Sequence, residues 1–571
     1  VLLATFIANG TNVRWSAMRG AIVAAVVYGA LVPSMTRVPI DGDEPFYLLV
    51  TESIVRDFDL DLANQYRRLD LTASGRTDLQ PQIGDPTGSG GEVYSRHPPF
   101  LPLLLVPGYL VGGLTGAVAM IALFGVLLVR STIRLLEEEG IDEATIRAVF
   151  PFFAFGAPVL FYAARIWPEV PAAYFVVEAL RGLRQQSPKR WIAALAALVF
   201  LKLRFVLVAL GLLAVFFARR EMFAALRRRR VAVLVLVLFA APLLVLWAIS
   251  GSVLNVHRWT ELLPAHPFDY ARGLFGLLLD GASGLAFQAP FYLLALLGMT
   301  RWREMPVAFR AGTLASLLYI VLLLPRDEWH GGWSPPLRYI VFLTPVLALG
   351  AAAVWRRVSA PVVAGIALWT AGVALHGISY PWRLFHIANG ENRLGEWLSA
   401  AYQSDFSRLF PSFIRVNTAA WIAVAVLLAA LVVARFHIPG QVTVSLAALV
   451  IAAGFSAGTR PADTIHFEDA HVTHDGGELF PKLYTSVRFA YRGGWLLFPD
   501  TSLTFLARQG IWTLHYVSGP GAVIELDGRV YHLPTGDQYQ TLKVVIGRTG
   551  KTTLRCHSGQ VNLERMDHEQ R

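Results

Sequence analysis

The stretch RGAIVAAVVYGALVPSMTRVPIDGDEPFY, residues 19–47, joins an apolar run to a group of carboxylates. The run at 19–39 has the length of one membrane-spanning helix, and Arg14 and Arg19 precede it. Because basic residues collect on the cytoplasmic side of a membrane, this pattern predicts a span whose first end is cytoplasmic. The polar stretch 40–97 that follows is then expected on the outer side.

The composition of the whole chain agrees with a membrane protein. Of its 571 residues, 55% are hydrophobic and only 16% are charged, whereas soluble domains carry about 25% charged residues. These values exclude a soluble enzyme, a disordered scaffold and a disulfide-rich secreted module. The net charge of +10 is explained by arginines in cytoplasmic loops, so no nucleic-acid partner is predicted. The single cysteine, Cys556, excludes an intramolecular disulfide and a CxxC metal site.

Apolar runs of span length recur up to residue 459 and predict about 13 transmembrane helices, with the N-terminus cytoplasmic and the C-terminus outside. After the first span, the predicted runs are 115–136, 145–164, 168–185, 231–250, 284–300, 309–325, 336–356, 360–380, 415–435 and 441–458. The stretch 190–219 is basic at both ends and predicts a hairpin of two short helices, with Lys202-Leu203-Arg204-Phe205 at its outer tip. The proline-rich stretch 97–113 predicts a re-entrant or interfacial helix on the outer side.

The composition changes after about residue 460, where no apolar run is long enough to span a membrane. Short segments of alternating apolar and polar residues follow one another, separated by glycine-rich turns. This pattern predicts a β-sandwich domain at 460–571 on the outer face, after a transmembrane domain at 1–459. Its aromatic residues either stack on sugar rings or fill the core. These residues are Tyr491, Trp495, Trp512, Tyr516, Tyr531 and Tyr539.

The carboxylates at the mouth of the first span carry the functional signal. Asp41, Asp43 and Glu44 follow directly on the apolar run, where a charged carboxylate is costly and is usually kept for a purpose. The structural alternative is that Asp41 or Asp43 caps a helix at Glu44–Arg56, with Pro45 in its first turn. Both interpretations can hold at once, because a capping carboxylate can also act as a base.

Together with Tyr47, the Asp43-Glu44 pair resembles the first-loop acidic motif of GT-C membrane glycosyltransferases, a family that includes the aminoarabinose lipid A transferases and the protein O-mannosyltransferases. Further segments resemble elements of this family in the same order along the chain. They are Tyr94-Ser95-Arg96-His97-Pro98-Pro99, Trp167-Pro168-Glu169, Leu279-Asp280 with Gly284-Leu285 and Pro290, and Trp329-His330-Gly331-Gly332-Trp333 with Pro336 and Arg338-Tyr339. The resemblance covers residues 19–380.

The resemblance implies an inverting enzyme that moves a sugar from a polyprenyl-phosphate-linked donor to a glycan, lipid or protein acceptor at the outer face of the bacterial inner membrane. The attacking hydroxyl needs a carboxylate base, for which Asp43 is the first candidate and Glu44 the second. The departing lipid phosphate needs fixed positive charge. The candidate substrate-binding residues are Tyr47, Arg96, His97, Glu169, Lys202, Arg204, Arg258, His330, Arg338 and Tyr339.

Several of these candidates also have a structural explanation. Lys202 and Arg204 can extend to the membrane interface, and Arg338 can pair with Asp327 or Glu328. A divalent metal such as Mg or Mn is compatible with the resemblance but not required by it, and no metal ligand is assigned.

The competing function classes are a transporter or flippase for a lipid-linked substrate and a non-catalytic membrane subunit. Transporters show paired interrupted helices, whereas the spans here carry few ionisable groups and the acidic residues cluster on the first outer loop. No P-loop pattern supports an ATP-driven pump.

Overall fold

The computed structural model describes only part of the chain. The described residues are 16–36, 40, 42–68, 92–218, 266–332, 334–379, 409–414, 416–436, 464–467, 472–476, 478–479 and 495–569, with isolated residues of 233–248 and of 384–395. By its contacts the chain divides into two compact units, the first built mainly from residues before 279 and from 283–387, the second mainly from 279–282 and from 388 onwards. The predicted domain boundary at residue 460 stays a prediction.

Four helices are long and apolar enough to cross a membrane in the part of the chain that the structure describes. They are Ala17–Met35, Phe100–Glu138, Arg338–Arg357 and Ala360–Ser379. Shorter apolar helices accompany them at Phe205–Phe217, Pro290–Met299, Val307–Leu323 and Thr418–Leu427. The helical, multi-pass character is thereby confirmed, whereas the number of about 13 spans stays a prediction. The predicted run 441–458 and most of 231–250 lie outside the described residues.

The described α-helices are numbered here in chain order. They are α1 Ala17–Met35, α2 Glu44–Arg56, α3 Ala63–Arg68, α4 Phe100–Glu138, α5 Glu143–Phe155, α6 Val159–Tyr162, α7 Glu169–Arg184, α8 Pro188–Leu201, α9 Phe205–Phe217, α10 Phe268–Leu279, α11 Leu285–Gln288, α12 Leu293–Met299, α13 Val307–Leu323, α14 Thr344–Val354, α15 Ala360–Ser379 and α16 Thr418–Phe436. Short 3₁₀ helices lie at Pro290–Tyr292, Trp302–Glu304, Arg338–Leu343 and Trp355–Arg357. The predicted helix after Asp43 is confirmed as α2, and the predicted hairpin at 190–219 is confirmed as α8 and α9.

Within the first unit, α14 is almost wholly buried. It packs against α7, α12 and α13, while α1 packs along α4, and α7 lies between α4 and α8. By contrast, α15 exposes large apolar side chains, among them Leu368 and Leu375. This pattern is typical of a helix that faces lipid, because lipid tails are as apolar as leucine. The buried helices therefore form the part of the unit on which a polar site can be built.

The first part of α4 folds back at Gly112 and Gly113, whose backbone angles are not helical. The two halves approach so closely that a Cβ atom on Gly116 would lie 1.9 Å from the carbonyl oxygen of Gly108. Only glycine fits this contact. The prediction that 97–113 forms a helix distinct from the following span is therefore confirmed, and its place at the outer membrane surface stays a prediction.

Two predicted spans are interrupted in the structure. The run 145–164 forms α5 and then the short α6, which starts after Pro158. The run 284–300 forms α11, a 3₁₀ turn beginning at Pro290, and α12. Proline lacks the backbone N–H that continues a helix, so hydropathy predicts one apolar run where the backbone forms several pieces.

The C-terminal residues form two antiparallel sheets. The strands are β1 Thr464–His466, β2 Thr473–Asp475, β3 Glu478–Leu479, β4 Trp495–Leu497, β5 Ser502–Ala507, β6 Gly510–Ser518, β7 Val523–Leu526, β8 Arg529–His532, β9 Gly536–Ile546, β10 Gly550–Ser558 and β11 Val561–His568. One sheet has the order β3-β4-β11-β6-β9, with β1 paired to β11, and the other has the order β2-β5-β10-β7-β8. In register, Trp512 of β6 lies opposite Val544 of β9, and Leu503 of β5 lies opposite Leu554 of β10.

Alternate side chains of both sheets contribute to one hydrophobic core. Trp512 and Tyr516 lie in this core, while Trp495 and Tyr531 pack against it partly buried. For Trp512 and Tyr516 the core explanation therefore holds, and stacking on a sugar ring does not. Tyr491 and the side chain of Tyr539 lie outside the described residues. A C-terminal β-sheet region is confirmed, and its classification as a sandwich stays a prediction.

Candidate active site

Asp43 lies at the N-cap position of α2, directly after Gly42, which has a φ of 63°. Its side chain makes no capping hydrogen bond. Instead, its carboxylate oxygen Oδ2 lies 3.0 Å from Nζ of Lys202 and accepts a hydrogen bond from Nη2 of Arg338. The capping alternative therefore does not account for this carboxylate, which faces two cations.

A second carboxylate, Glu169, lies in the first turn of α7. Its oxygen Oε1 accepts hydrogen bonds from Nε of Arg338, at 3.1 Å, and from Nη2 of Arg204. Arg338 begins a 3₁₀ helix after Leu337, whose φ of 63° is in the left-handed region. Its Nη1 donates to the carbonyl oxygen of Gly331 at 3.3 Å. Arg338 therefore bridges the two carboxylates and is fixed at all three nitrogens.

Lys202 and Arg204 come from the turn between α8 and α9. Their side chains are only 19% and 17% exposed, and they contact the carboxylates of Asp43 and Glu169. The ammonium of Lys202 also donates to the hydroxyl of Tyr47 at 3.0 Å. Asp327, the alternative partner of Arg338, pairs with Arg272 at 2.8 Å. Arg338 thus pairs with Asp43 and Glu169, while Asp327 pairs with Arg272.

Aromatic rings hold the guanidinium groups from the side. The Arg338 guanidinium carbon lies 4.2 Å from the centre of the Trp167 ring, and that of Arg204 lies 4.9 Å from the centre of the Tyr339 ring. Such cation–π contacts attract the charge and fix the plane of the group. On the other side of the cluster, the Tyr47 ring contacts His97 with ring centres 4.9 Å apart.

Glu44 is fully buried and its carboxylate makes contacts separate from those of Asp43. Its Oε1 accepts a hydrogen bond from the backbone N–H of Ile166 at 2.7 Å, and its Oε2 lies 3.4 Å from Nη1 of the buried Arg165. These contacts tether the start of α2 to the segment that carries Trp167. Glu44 therefore contacts Arg165 and Ile166, the two residues that precede Trp167, and the Trp167 ring in turn contacts Arg338.

The charges of the cluster set the protonation states of its members. Burial alone would raise the pKa of Asp43, but Arg338 and Lys202 beside it hold that pKa well below its usual range. Burial lowers the pKa of Lys202 to about 7, against the opposing effect of the Asp43 carboxylate. Burial likewise lowers the pKa of His97 well below its usual value. At neutral pH, Asp43 is therefore ionised and His97 is uncharged.

Most of the candidate residues predicted from the sequence thus lie in or beside one cluster. His330 is buried next to the Trp329 ring, and the following residue, Gly331, binds Arg338. Arg96 is half-buried, and its positive charge acts on Asp43. Arg258 lies outside the described residues.

No family model and no curated protein matches the chain. Solved structures do. ArnT from Cupriavidus metallidurans bound to undecaprenyl phosphate is 18% identical, with a TM-score of 0.43 over 77% of this chain and 75% of that one. The archaeal oligosaccharyltransferase AglB from Archaeoglobus fulgidus, in complex with an inhibitory peptide and a dolichol-phosphate, is 13% identical, with a TM-score of 0.36 over 68% and 58%. The arabinosyltransferase EmbB from Mycobacterium smegmatis is 10% identical, with a TM-score of 0.36 over 95% and 64%. The chain is thus similar to the solved structures of ArnT, AglB and EmbB.

Sequence reasoning missed two residues beside the cluster: Arg165, which pairs with Glu44, and Trp167, whose ring supports Arg338. A signal for Arg165 was present in the sequence. It lies between two predicted spans on the outer side, where the positive-inside rule disfavours arginine. A cation in such a place is expected to have a carboxylate partner, and here the partner is Glu44. No sequence signal indicates which ring supports Arg338.

The described side chains around Asp43 and Glu169 do not fit a divalent cation. Within the described residues, no group of three or more His, Cys, Asp or Glu side chains is arranged to hold a metal ion. Asp43 and Glu169 each direct an oxygen to guanidinium or ammonium groups. A metal ion at either oxygen would face the positive charges of Lys202, Arg204 and Arg338 at short range.

Among the described residues, and with Lys202 protonated as it is below its pKa of about 7, the cluster holds more positive than negative charge. Three cations, Lys202, Arg204 and Arg338, contact the two carboxylates of Asp43 and Glu169. Leaving a charge uncompensated in a mostly buried place is costly. The cluster is therefore complementary to one further anionic group that can reach the N–H groups of its cations.

Proposed function

We propose that this protein is an inverting glycosyltransferase that moves a sugar from a polyprenyl-phosphate-linked donor to an acceptor at the outer face of the membrane. The acceptor is a glycan, a lipid or a protein. The membrane is the bacterial inner membrane, with the N-terminus in the cytoplasm and a C-terminal β-sandwich on the outer side.

The excess positive charge of the cluster carries this proposal. A polyprenyl-phosphate sugar is a phosphodiester with one negative charge, which equals the one cation by which Lys202, Arg204 and Arg338 outnumber Asp43 and Glu169. Guanidinium groups bind phosphate in two-pronged geometry, and fixed positive charge stabilises a leaving group that gains negative charge. The surrounding apolar helices provide the environment that a polyprenyl chain requires.

Asp43 supplies the base. The acceptor oxygen forms a bond to the anomeric carbon, the bond from that carbon to the phosphate oxygen breaks, and the electron pair stays on the phosphate. The proton of the acceptor hydroxyl passes to the Asp43 carboxylate, which lies beside the cations that hold the phosphate. A single displacement without a covalent intermediate inverts the anomeric centre.

The proposed orientation is supported by the two ends of α7. Glu169 begins this helix, and Arg181 lies twelve residues later, about 18 Å along the axis. Arg181 belongs to a second ion-pair network with Glu138 and Glu178, and Arg190 also pairs with Glu178. The basic residues that predict the cytoplasmic side thus lie at the far end of α7 from the proposed site.

The test is sugar transfer by the full chain reconstituted in liposomes. Undecaprenyl-phosphate sugars are supplied as a panel, and the release of undecaprenyl phosphate is measured together with the anomeric configuration of the product. We expect D43N to lower the rate by at least about 100-fold, as loss of a general base does. The matched control is D327N, which removes a carboxylate with a 95% exposed side chain outside the cluster and should leave the rate unchanged. A wild-type rate in D43N would remove Asp43 as the base.

A further inference from the structure

Both cations that contact Asp43 meet the same oxygen. Nζ of Lys202 lies 3.0 Å from Oδ2, and Nη2 of Arg338 donates to that same atom. Glu169 repeats the arrangement, since its Oε1 accepts from both Arg204 and Arg338. The two carboxylates therefore act as counter-ions that the protein itself provides for the cations.

This arrangement conflicts with the two tasks of the site. A carboxylate that is paired with two cations is a weak base, because their charges stabilise its ionised form. Lys202 and Arg338 are also the cations proposed to hold the phosphate, and Asp43 already accepts hydrogen bonds from both. The Asp43 carboxylate and the phosphate thus compete for the same two cations. In the described structure, the carboxylate is the group that these cations contact.

We propose that Asp43 is an internal counter-ion that the donor phosphate displaces from Lys202 and Arg338, and that this displacement turns Asp43 into a competent base. The inference rests on the proposed function and adds an order of events to it. Donor binding comes first, and the carboxylate becomes available to an acceptor hydroxyl only when the phosphate holds the cations.

The charges balance throughout such a cycle. With the donor bound, Lys202, Arg204 and Arg338 face Asp43, Glu169 and one negative charge on the phosphodiester. During transfer the phosphate gains a second negative charge as its bond to the sugar breaks, and Asp43 loses its charge by taking the acceptor proton. Three positive charges face three negative charges before and after the step, so the mostly buried cluster is not left with an uncompensated charge.

Binding of undecaprenyl phosphate is measured without any sugar or acceptor. It distinguishes an Asp43 that competes with the phosphate from an Asp43 that acts only as a base. The full chain is placed in lipid nanodiscs and the dissociation constant is measured at constant pH and salt. We expect D43N to bind about tenfold more tightly than the wild type, because the asparagine no longer competes as an anion for Lys202 and Arg338. We expect K202M to bind more weakly and D327N to bind as the wild type does.

Equal or weaker binding by D43N, with clear binding by the wild type, would overturn the displacement while leaving the proposed function in place. Absence of binding in the wild type and in every variant would overturn both. Thermal unfolding of each variant checks that it is folded. If D43N does not fold, E169Q takes its place, because Glu169 competes for Arg338 and Arg204 in the same way. Tighter binding by E169Q then supports the counter-ion exchange, and unchanged or weaker binding refutes it.

Discussion

The buried pair of Glu44 and Arg165 permits a test of what the second carboxylate of the acidic motif does. The side chains are 0% and 2% exposed, and the ion-pair distance is 3.4 Å. Glu44 also accepts the backbone N–H of Ile166 at 2.7 Å. Breaking a buried ion pair by removing one partner typically costs about 3–5 kcal/mol, because the other charge is left uncompensated. Replacing both partners with uncharged groups of similar size is often close to neutral.

We therefore expect E44Q and R165M each to lower the free energy of unfolding by about 3 kcal/mol or more. The double variant E44Q/R165M should lose about 1 kcal/mol or less, because glutamine still accepts the N–H of Ile166 and no buried charge remains. The coupling energy between the two sites is then about 5 kcal/mol or more, above the range of about 0.5–3 kcal/mol that is usual for residues in contact. The matched control is E143Q, whose half-exposed pair with Arg147 at 3.7 Å should cost about 0.5 kcal/mol or less.

The assay is thermal unfolding of the full chain in nanodiscs, combined with sugar transfer by the same preparations. If Glu44 positions the segment of Trp167, the double variant recovers both stability and most of the transfer rate. If Glu44 is the base, the double variant stays inactive however stable it is. If the single variant E44Q were as stable as the wild type, the reasoning would be refuted. That result would mean that the buried charge of Arg165 does not depend on Glu44.

Three further outcomes follow from the described geometry. The pKa of Lys202 lies at about 7, so raising the pH through that value removes its charge. Undecaprenyl phosphate should therefore bind more weakly above pH 7, and the K202M variant should show a flatter dependence of binding on pH. G116A should destabilise the fold strongly in thermal unfolding, because its Cβ would meet the Gly108 carbonyl oxygen at 1.9 Å, whereas G112A, with no atom near its Cβ and a negative φ, should be tolerated. W512A should lose about 3–5 kcal/mol by emptying a fully buried core position, and limited proteolysis should then cleave the β-sheet region faster.

Much of the helical arrangement could be predicted because it depends on local pattern. The run of apolar residues at 19–39 and the basic ends of 190–219 correspond to α1 and to the pair α8 and α9. The interruption of the run 284–300 into three pieces could not be predicted from hydropathy, since proline breaks a helix without changing how apolar the run is.

The candidate site could be predicted as a set of residues but not as a set of contacts. Asp43 is recognisable in the sequence because a carboxylate at the end of an apolar span is costly unless it has a purpose. Lys202 and Arg204 are recognisable as cations at the outer tip of a hairpin, and Glu169 and Arg338 because their segments resemble GT-C motifs. Which carboxylate pairs with which cation depends on how distant turns are brought together, and the most separated pair, Asp43 and Arg338, is 295 residues apart. Such a contact has no local signal in one sequence.

Asp43 and Glu44 are neighbours in the sequence, yet the sequence does not show in which direction each carboxylate faces. Successive residues at the start of a helix project about 100° apart, since a turn takes about 3.6 residues. One of the two therefore has to face elsewhere when the other faces Lys202 and Arg338. The sequence cannot assign the directions, because both residues are acidic and both lie at the same span end. The structure turns Asp43 toward the cations and Glu44 toward Ile166 and Arg165, and this difference in direction is the physical reason for assigning them different roles.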